Sequence, residues 1–152
     1  METGILHFHS IWRYVVLLLI LITIARSIQG WVSKAEFAKV DIKLGLFSMI
    51  SLHIQLLTGF ILYYLSDFVQ LSSMGEAMKN PLLRFWTVEH ITLMIIAVAL
   101  ITFGRKSIIN TNDSLAKHRK TVIIFGIGLL LLFLAIPWPW SNIEITRPFF
   151  NF

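Results

Sequence analysis

The feature that most constrains this chain is a set of four long apolar segments, which occupy most of its 152 residues. They run over about residues 5–30, 44–65, 82–104 and 119–138. Each is close to the ~20 residues that an α-helix needs to cross about 30 Å of hydrocarbon. The sequence therefore predicts a single all-α domain, an integral membrane antiparallel four-helix bundle.

The composition excludes a soluble domain and several kinds of metal chemistry. Hydrophobic residues make up 57% of the chain and charged residues 14%, whereas soluble domains average about 45–50% and about 25%. A chain this short has too much surface to enclose that much hydrocarbon in its own core. Because the chain has no cysteine, disulfides, thiolate metal sites, iron–sulfur clusters and covalent c-type haem attachment are excluded.

The basic residues predict the orientation of the bundle. Nine of the 13 Lys and Arg residues lie in or beside the first and third connections, which fall on the same side of a four-helix bundle. They are Arg26, Lys34, Lys39, Lys43, Arg105, Lys106, Lys117, Arg119 and Lys120. Since loops rich in Lys and Arg stay in the cytoplasm, we expect a multi-pass protein of the bacterial inner membrane with both termini on the periplasmic side. Topology also explains the net charge of +5 without a nucleic-acid partner.

Helical periodicity predicts which faces meet inside the bundle. Residues spaced three, four or seven apart share a side of a helix, and small or hydroxyl residues mark close approaches between membrane helices. The predicted inward stripes are His9, Arg13, Val16, Thr23, Ser27 and Gly30; Gly45, Ser48, Leu52, Gln55 and Gly59; Trp86, His90, Met94, Ala97, Ile101 and Gly104; and His118, Thr121, Phe125, Gly128, Leu132 and Ala135. Residues 17–22 are predicted to face mostly lipid.

The histidines admit a functional and a purely structural interpretation. An ionisable side chain inside hydrocarbon is costly and needs a partner, which for His53 and His90 is either a ligand or a hydroxyl or carbonyl group. His118 lies in the sequence KHRK, which can simply be a basic boundary cluster that fixes topology and binds anionic headgroups. Glu89 is expected to form a buried salt bridge with Arg13 or Arg84 rather than to act as a catalytic acid.

Histidines in the membrane, in a chain without cysteine, favour b-type haem, whose iron takes axial imidazole ligands. Two histidines from facing helices can hold the macrocycle in a bundle core. A helix rises about 1.5 Å per residue, and a span has about 20 residues. On this scale His9 lies about 4–5 Å and His90 about 7–8 Å below the outer surface of the hydrocarbon, which are similar depths. We therefore predict a haem b iron ligated by His9 and His90, with Arg13 near a propionate. His53 and His118 are the candidates for a second haem.

Six short motifs spread over nearly the whole chain carry a family resemblance. They are HSIWRY at residues 9–14, HIQLLTG at 53–59, EH at 89–90, FGR at 103–105, KH at 117–118 and IPWP at 136–139. Together they resemble the short bacterial four-helix membrane proteins labelled cytochrome b. This resemblance implies that His9, His53, His90 and His118 are the candidate haem ligands.

Three functions are compatible with these features. The first is a membrane electron carrier that receives electrons from a quinol or a protein partner. The second is a cofactor-free accessory subunit of a larger inner-membrane complex, in which the buried histidines only join helices. The third, a metal or proton transporter, is disfavoured because the segments carry no carboxylate-rich path. Because the chain has no soluble head, we expect a membrane-protein partner or a second copy rather than a stand-alone enzyme, and we assign no catalytic residue.

Overall fold

The computed structural model describes residues 2–140, which are helical with short connections. Four helices are long and apolar enough to cross a membrane, and we number them as membrane helices in chain order. They span Glu2–Val32, Lys39–Leu65, Pro81–Ile109 and Ser114–Ala135. A one-turn helix, Met74–Ala77, lies in the connection between the second and third. The predicted all-α four-helix membrane bundle is confirmed.

Side-chain caps set two of the helix starts. The Asn80 side chain accepts hydrogen bonds from the backbone N–H groups of the first turn of the third helix, at 2.9 Å from that of Leu82. The Asp113 carboxylate accepts one from the Ala116 N–H at 2.6 Å. The fourth helix consequently begins at Ser114 and not near residue 119. Hydropathy marks only the apolar part of a helix, whereas a cap and a polar first turn extend it.

The helices form a ring in which each packs against two neighbours. The first and the third membrane helices both pack against the second and the fourth. The first therefore lies diagonally across from the third, and the second across from the fourth, as expected for up-down-up-down topology. The connections at residues 33–38 and 110–113 lie at one end, which we call the short-loop end. The N-terminus and the connection at residues 66–80 lie at the other, which we call the N-terminal end.

The predicted inward stripes form the bundle core. The buried residues of the fourth helix are the six of its predicted stripe, and in the second helix four of the five predicted positions are buried. Ile20 is an exception among residues 17–22, the run predicted to face mostly lipid, because it is fully buried. It continues the first stripe, four residues after Val16 and three before Thr23. Only 22–33% of each apolar window is buried, so most of the helical surface faces outward.

Polar contacts join the first and second membrane helices along their length. The Trp12 indole Nε1 donates to the Ser51 carbonyl at 3.0 Å, and the hydroxyl groups of Thr23 and Ser48 are 2.9 Å apart. Close to the short-loop end, Arg26 Nε lies 3.1 Å from a carboxylate oxygen of Asp41. Hydrogen bonds of this kind hold membrane helices together because the polar groups would otherwise face hydrocarbon.

Candidate functional site

A cavity of about 320 Å³ lies within the bundle toward its N-terminal end, and all four membrane helices contribute to its wall. Most of its lining is aliphatic or aromatic, with a few polar side chains that include His9, Arg13, Gln55 and His90. Its volume falls in the range of about 300–1,000 Å³ that small-molecule and cofactor sites occupy. The structure therefore brings His9, His90 and Arg13, the three residues predicted to hold one haem, to the wall of a single cavity.

The second membrane helix holds His9. The Nδ1 atom of His9 is 3.0 Å from the Thr58 hydroxyl oxygen, and the Thr58 hydroxyl itself donates to the carbonyls of Ile54 and Gln55. The Thr58 hydroxyl has one hydrogen, and when that hydrogen points to a carbonyl of its own helix, Nδ1–H of His9 is the donor. Gln55 Nε2 also donates to the His9 carbonyl at 3.0 Å. In this tautomer the lone pair of His9 is on Nε2.

The fourth membrane helix holds His90. The Nδ1 atom of His90 is 2.8 Å from the Ala135 carbonyl oxygen. A carbonyl can only accept, so Nδ1 carries the proton and Nε2 carries the lone pair. The rings of Phe85 and Trp86 flank the imidazole, at centroid distances of 5.8 Å and 5.4 Å. His9 and His90 are therefore each held at Nδ1 by a group on a neighbouring helix.

A π-helical turn, Phe85–Glu89, directly precedes His90. The second helix and the following connection anchor it, because the Tyr63 hydroxyl donates to the Thr87 carbonyl at 2.8 Å and the Gln70 N–H donates to the Thr87 hydroxyl at 3.1 Å. Single π-helical turns within α-helices are frequent at functional sites. This turn shifts the helical register just before His90 and so determines which way that residue faces.

The donor set at the cavity suits a prosthetic group more than a bare metal ion. No group of three or more His, Cys, Asp or Glu side chains that could hold an ion occurs within residues 2–140, and ions such as zinc need three or four protein ligands. A haem supplies its own in-plane ligands and takes only axial ones from the protein. Histidines that bind metal usually donate their second ring N–H to a carbonyl or another acceptor, as His9 and His90 do.

Arg13 places a positive charge on the cavity wall. Its side chain is half-buried, its Nη2 donates to the Tyr14 hydroxyl at 2.9 Å, and its guanidinium lies 4.8 Å from the centre of the Tyr14 ring. Glu89 forms its salt bridge with Arg84, one of the two predicted partners, at 2.6 Å, but the two side chains are 43% and 40% exposed, so the predicted burial of this pair is wrong. The role of Arg13 toward a haem propionate stays a prediction.

His53 and His118 lie apart from this cavity in the described part of the chain. His53 is half-buried and donates from Nδ1 to the Met49 carbonyl of its own helix at 2.8 Å. His118 is 1% exposed, its ring packs 4.9 Å from that of Phe37, and a side chain at Gly30 would overlap it. Neither ring nitrogen of His118 has a hydrogen-bond partner among residues 2–140. Their assignment to a second haem stays a prediction, and His118 would require this packing to rearrange.

Two groups that fix the candidate ligands were not identified from the sequence. Thr58 shares the face of Gln55 and lies three residues after it, so its periodicity could have indicated a position near the first helix. The Ala135 carbonyl is a backbone group, and side-chain patterns do not mark it. Both contacts join residues far apart in the chain, His9 with Thr58 and His90 with Ala135, and only the packing of the helices brings them together.

Comparison of the chain with protein-family models, with curated proteins and with solved structures finds no match. The fold and the cavity define the class of protein as an α-helical membrane bundle. Its core contains a cavity large enough for a small molecule or a cofactor. Any finer assignment depends on the geometry of that cavity.

Proposed function

We propose that this chain is a membrane-embedded electron-transfer protein, or the electron-transfer subunit of a larger complex, that holds one b-type haem between His9 and His90. The observation that carries the proposal is the shared cavity. It has an imidazole on each of two diagonal helices, and the Nδ1 atom of each imidazole is in a hydrogen bond to a neighbouring helix.

The residues around the cavity have distinct tasks in this proposal. A haem held by His9 and His90 would supply one-electron chemistry. Thr58 and the Ala135 carbonyl orient the two imidazoles and increase their donor strength. Leu52, Met94 and Val98 on the wall exclude water and lower the local dielectric, which sets the redox potential.

Arg13 supports a carboxylate-bearing ligand in particular. A charged side chain within a membrane helix is costly and usually marks a functional contact. An arginine binds carboxylates strongly through charge-assisted hydrogen bonds, and the carboxylates of haem are its propionates. The half-buried guanidinium on the cavity wall therefore favours a haem over an uncharged apolar ligand.

We place the protein in the inner membrane of a bacterium, with the short-loop end in the cytoplasm and the cavity toward the periplasmic side. The concentration of Lys and Arg at the short-loop end supports this orientation. Residues 141–152, which contain the C-terminus, lie outside the described residues. Electrons would come from a quinol or a protein partner in the same membrane, because the four membrane helices make up nearly all of the described chain.

Absorption spectroscopy tests the haem. The full chain, purified in detergent from haem-replete cells, should give the reduced-minus-oxidised difference spectrum of a low-spin b-type haem. A pyridine haemochrome assay should give one haem per chain. Wild-type protein without haem absorbance would overturn the electron-carrier function, and two haems per chain would require the His53 and His118 site.

A specific observation also favours the alternative of a cofactor-free accessory subunit. The hydrogen bonds from His9 to Thr58 and from His90 to Ala135 already join neighbouring helices. An intramembrane histidine with such a partner needs no ligand to explain it. In that case the purified protein contains no haem, while His9→Ala and His90→Ala weaken the bundle or its attachment to a partner complex.

Single cysteines test the orientation, since the natural chain has none. Ser72→Cys places a thiol in the long connection at the N-terminal end, and Asn112→Cys places one in the third connection. In intact spheroplasts a membrane-impermeant thiol reagent should label the first variant and not the second. Disrupted membranes, in which both should react, provide the control, and the reverse labelling pattern would contradict the orientation.

A further inference from the structure

We propose that the Pro-Trp-Pro segment, residues 137–139, is the positioning element of His90. Its two prolines end the fourth membrane helix and supply no N–H at residues 137 and 139, which leaves the Ala135 carbonyl to accept a hydrogen bond from His90 Nδ1–H. The consequence for an iron rests on the proposed haem function. The effect on the tautomer of His90 does not depend on haem. An experiment can therefore contradict the haem function and the positioning of His90 separately.

The prolines fall at the positions that would complete the last turn of the helix. In an α-helix the carbonyl of residue i accepts from the N–H of residue i+4. The partners of the Phe133 and Ala135 carbonyls would therefore be residues 137 and 139, which are both proline. Proline has no N–H, so neither carbonyl can be satisfied within the helix.

Pro137 also changes the path of the chain. The residue before a proline is disfavoured in the helical region and favours extended backbone. Ile136 has φ −77° and ψ 127°, and the helix ends at Ala135. The last helical hydrogen bond runs from the Ile136 N–H to the Leu132 carbonyl at 3.0 Å. Pro137 therefore turns the chain away, and Pro139 removes the donor that a continuing helix would have supplied.

Side chains satisfy the two carbonyls that the prolines leave open. The Trp138 indole Nε1 donates to the Phe133 carbonyl at 2.9 Å, within the same segment. His90 Nδ1 donates to the Ala135 carbonyl at 2.8 Å, from the third membrane helix. A carbonyl without a partner in hydrocarbon is unfavourable, so the bond from His90 is favoured once the helical donor is gone.

This arrangement fixes His90 from two sides. The π-helical turn before His90 sets the register of the third helix, and the Ala135 carbonyl accepts the Nδ1 proton. The Nε2 lone pair is then always available at the cavity that His90 lines. The IPWP motif thus affects the candidate site without contributing a ligand.

Nitrogen NMR of the imidazole tests the inference on haem-free protein. In detergent-solubilised protein labelled with ¹⁵N-histidine, His90 should have a single tautomer with protonated Nδ1, assigned by comparison with His90→Asn. In the double variant Pro137→Ala, Pro139→Ala the helix should extend and residue 139 should donate to the Ala135 carbonyl. His90 should then give a mixture of both tautomers.

Trp138→Phe is the matched control, because it removes the donor to the Phe133 carbonyl and leaves both prolines in place. Its His90 tautomer should equal that of the wild type. An unchanged tautomer in the double variant would overturn the inference. Should that variant fail to insert, the wild-type spectrum still decides, since a protonated Nε2 at His90 would contradict the geometry directly.

Haem-loaded protein provides the second measurement. If the proposed function is correct, the double variant should retain haem and shift in redox potential relative to the wild type, while Trp138→Phe should not shift. If the tautomer of His90 changes in the double variant but the wild-type protein never binds haem, the positioning of His90 is supported and only the electron-carrier function is overturned. Haem binding that requires His90, together with an unchanged tautomer and potential in the double variant, would overturn only the positioning.

Discussion

The two ends of the bundle contain similar residues and are packed differently. At the N-terminal end His9 and His90 line a cavity of about 320 Å³. Toward the short-loop end His118 is enclosed between Phe37 and the first helix, and a nearby gap beside Phe37 is about 10 Å³, close to the least that one water molecule needs. An inward-facing histidine is therefore not by itself a sign of a ligand site.

The difference comes from how closely the helices approach each other. Toward the short-loop end Gly30 lets the His118 ring lie directly against the first helix, and Gly104 does the same for Ile124. At the N-terminal end the π-helical turn and the early end of the fourth helix at Ala135 interrupt regular packing. Small residues allow close packing of membrane helices, whereas irregular backbone occurs in membranes where it is buried or lines a cavity.

The largest effect is expected from removing histidines at the two ends in turn. If the proposed function is correct, His9→Ala and His90→Ala should each eliminate most of the haem absorbance, because each would remove a proposed ligand, and the helical content by circular dichroism should not change. His118→Ala should retain the full haem content. If His118→Ala lost half of the haem, the short-loop end would have to hold a second haem, and the contrast between the ends would be wrong.

A methyl group at Gly30 should destabilise the bundle substantially. It would overlap the His118 ring, and overpacking of a tight core costs about 1–3 kcal/mol, to be measured by unfolding in detergent. Gly126→Ala is the control, since a Cβ there meets nothing within 4 Å and the helix should gain about 0.5–1 kcal/mol from the loss of glycine. Adding His118→Ala to Gly30→Ala should recover part of the loss. Without such recovery, the His118 ring is not what fills the space at Gly30.

Thr58→Val should weaken haem binding without unfolding the bundle. The substitution removes the acceptor of His9 Nδ1–H, and loss of such an outer contact usually lowers metal affinity about 10–100-fold. We expect a loss near the lower limit, measured by haem titration of the apoprotein. Thr102→Val serves as control, because the Thr102 hydroxyl bonds only to the Val98 carbonyl of its own helix among the hydrogen bonds of residues 2–140. Equal losses in the two variants would mean that Thr58 does not act through His9.

The smallest effect is expected from Gly59→Ala, the counterpart of Gly30→Ala beside the other histidine. A Cβ at Gly59 would lie 3.2 Å from a ring carbon of His9, and the adjoining cavity gives that ring room to move. Stability should change by less than about 0.5 kcal/mol. If Gly59→Ala is as damaging as Gly30→Ala in the same unfolding experiment, the N-terminal end is as tightly packed as the other.

Much of the fold could be predicted because membrane helices depend on local properties. The apolar segments located all four helices, and a period of 3.6 identified all six buried positions of the fourth helix and four of the six of the second. The errors arose at single positions, where an average over neighbouring residues gives little information. The start at Ser114 depends on one side-chain cap from Asp113, and Ile20 is one position within an otherwise lipid-facing run.

The candidate site was predictable only in part. The common stripe and depth of His9 and His90 could be read from residue spacing, and the structure places both at one cavity. The hydrogen-bond partners of the two imidazoles could not be predicted from residue spacing, because Thr58 lies 49 residues from His9 and Ala135 lies 45 residues from His90. No local pattern specifies which hydroxyl or carbonyl an imidazole meets on another helix.

The sequence by itself determined that this chain is a bundle of four membrane helices, and it determined which face of each helix turns inward. Hydropathy and periodicity depend only on residues that are close together in the sequence, so both can be determined without the tertiary structure. The tertiary structure alone decided that one end of the bundle contains a cavity and that the other is packed around His118. The space between helices depends on their rotation and separation, which arise from contacts along all four at once.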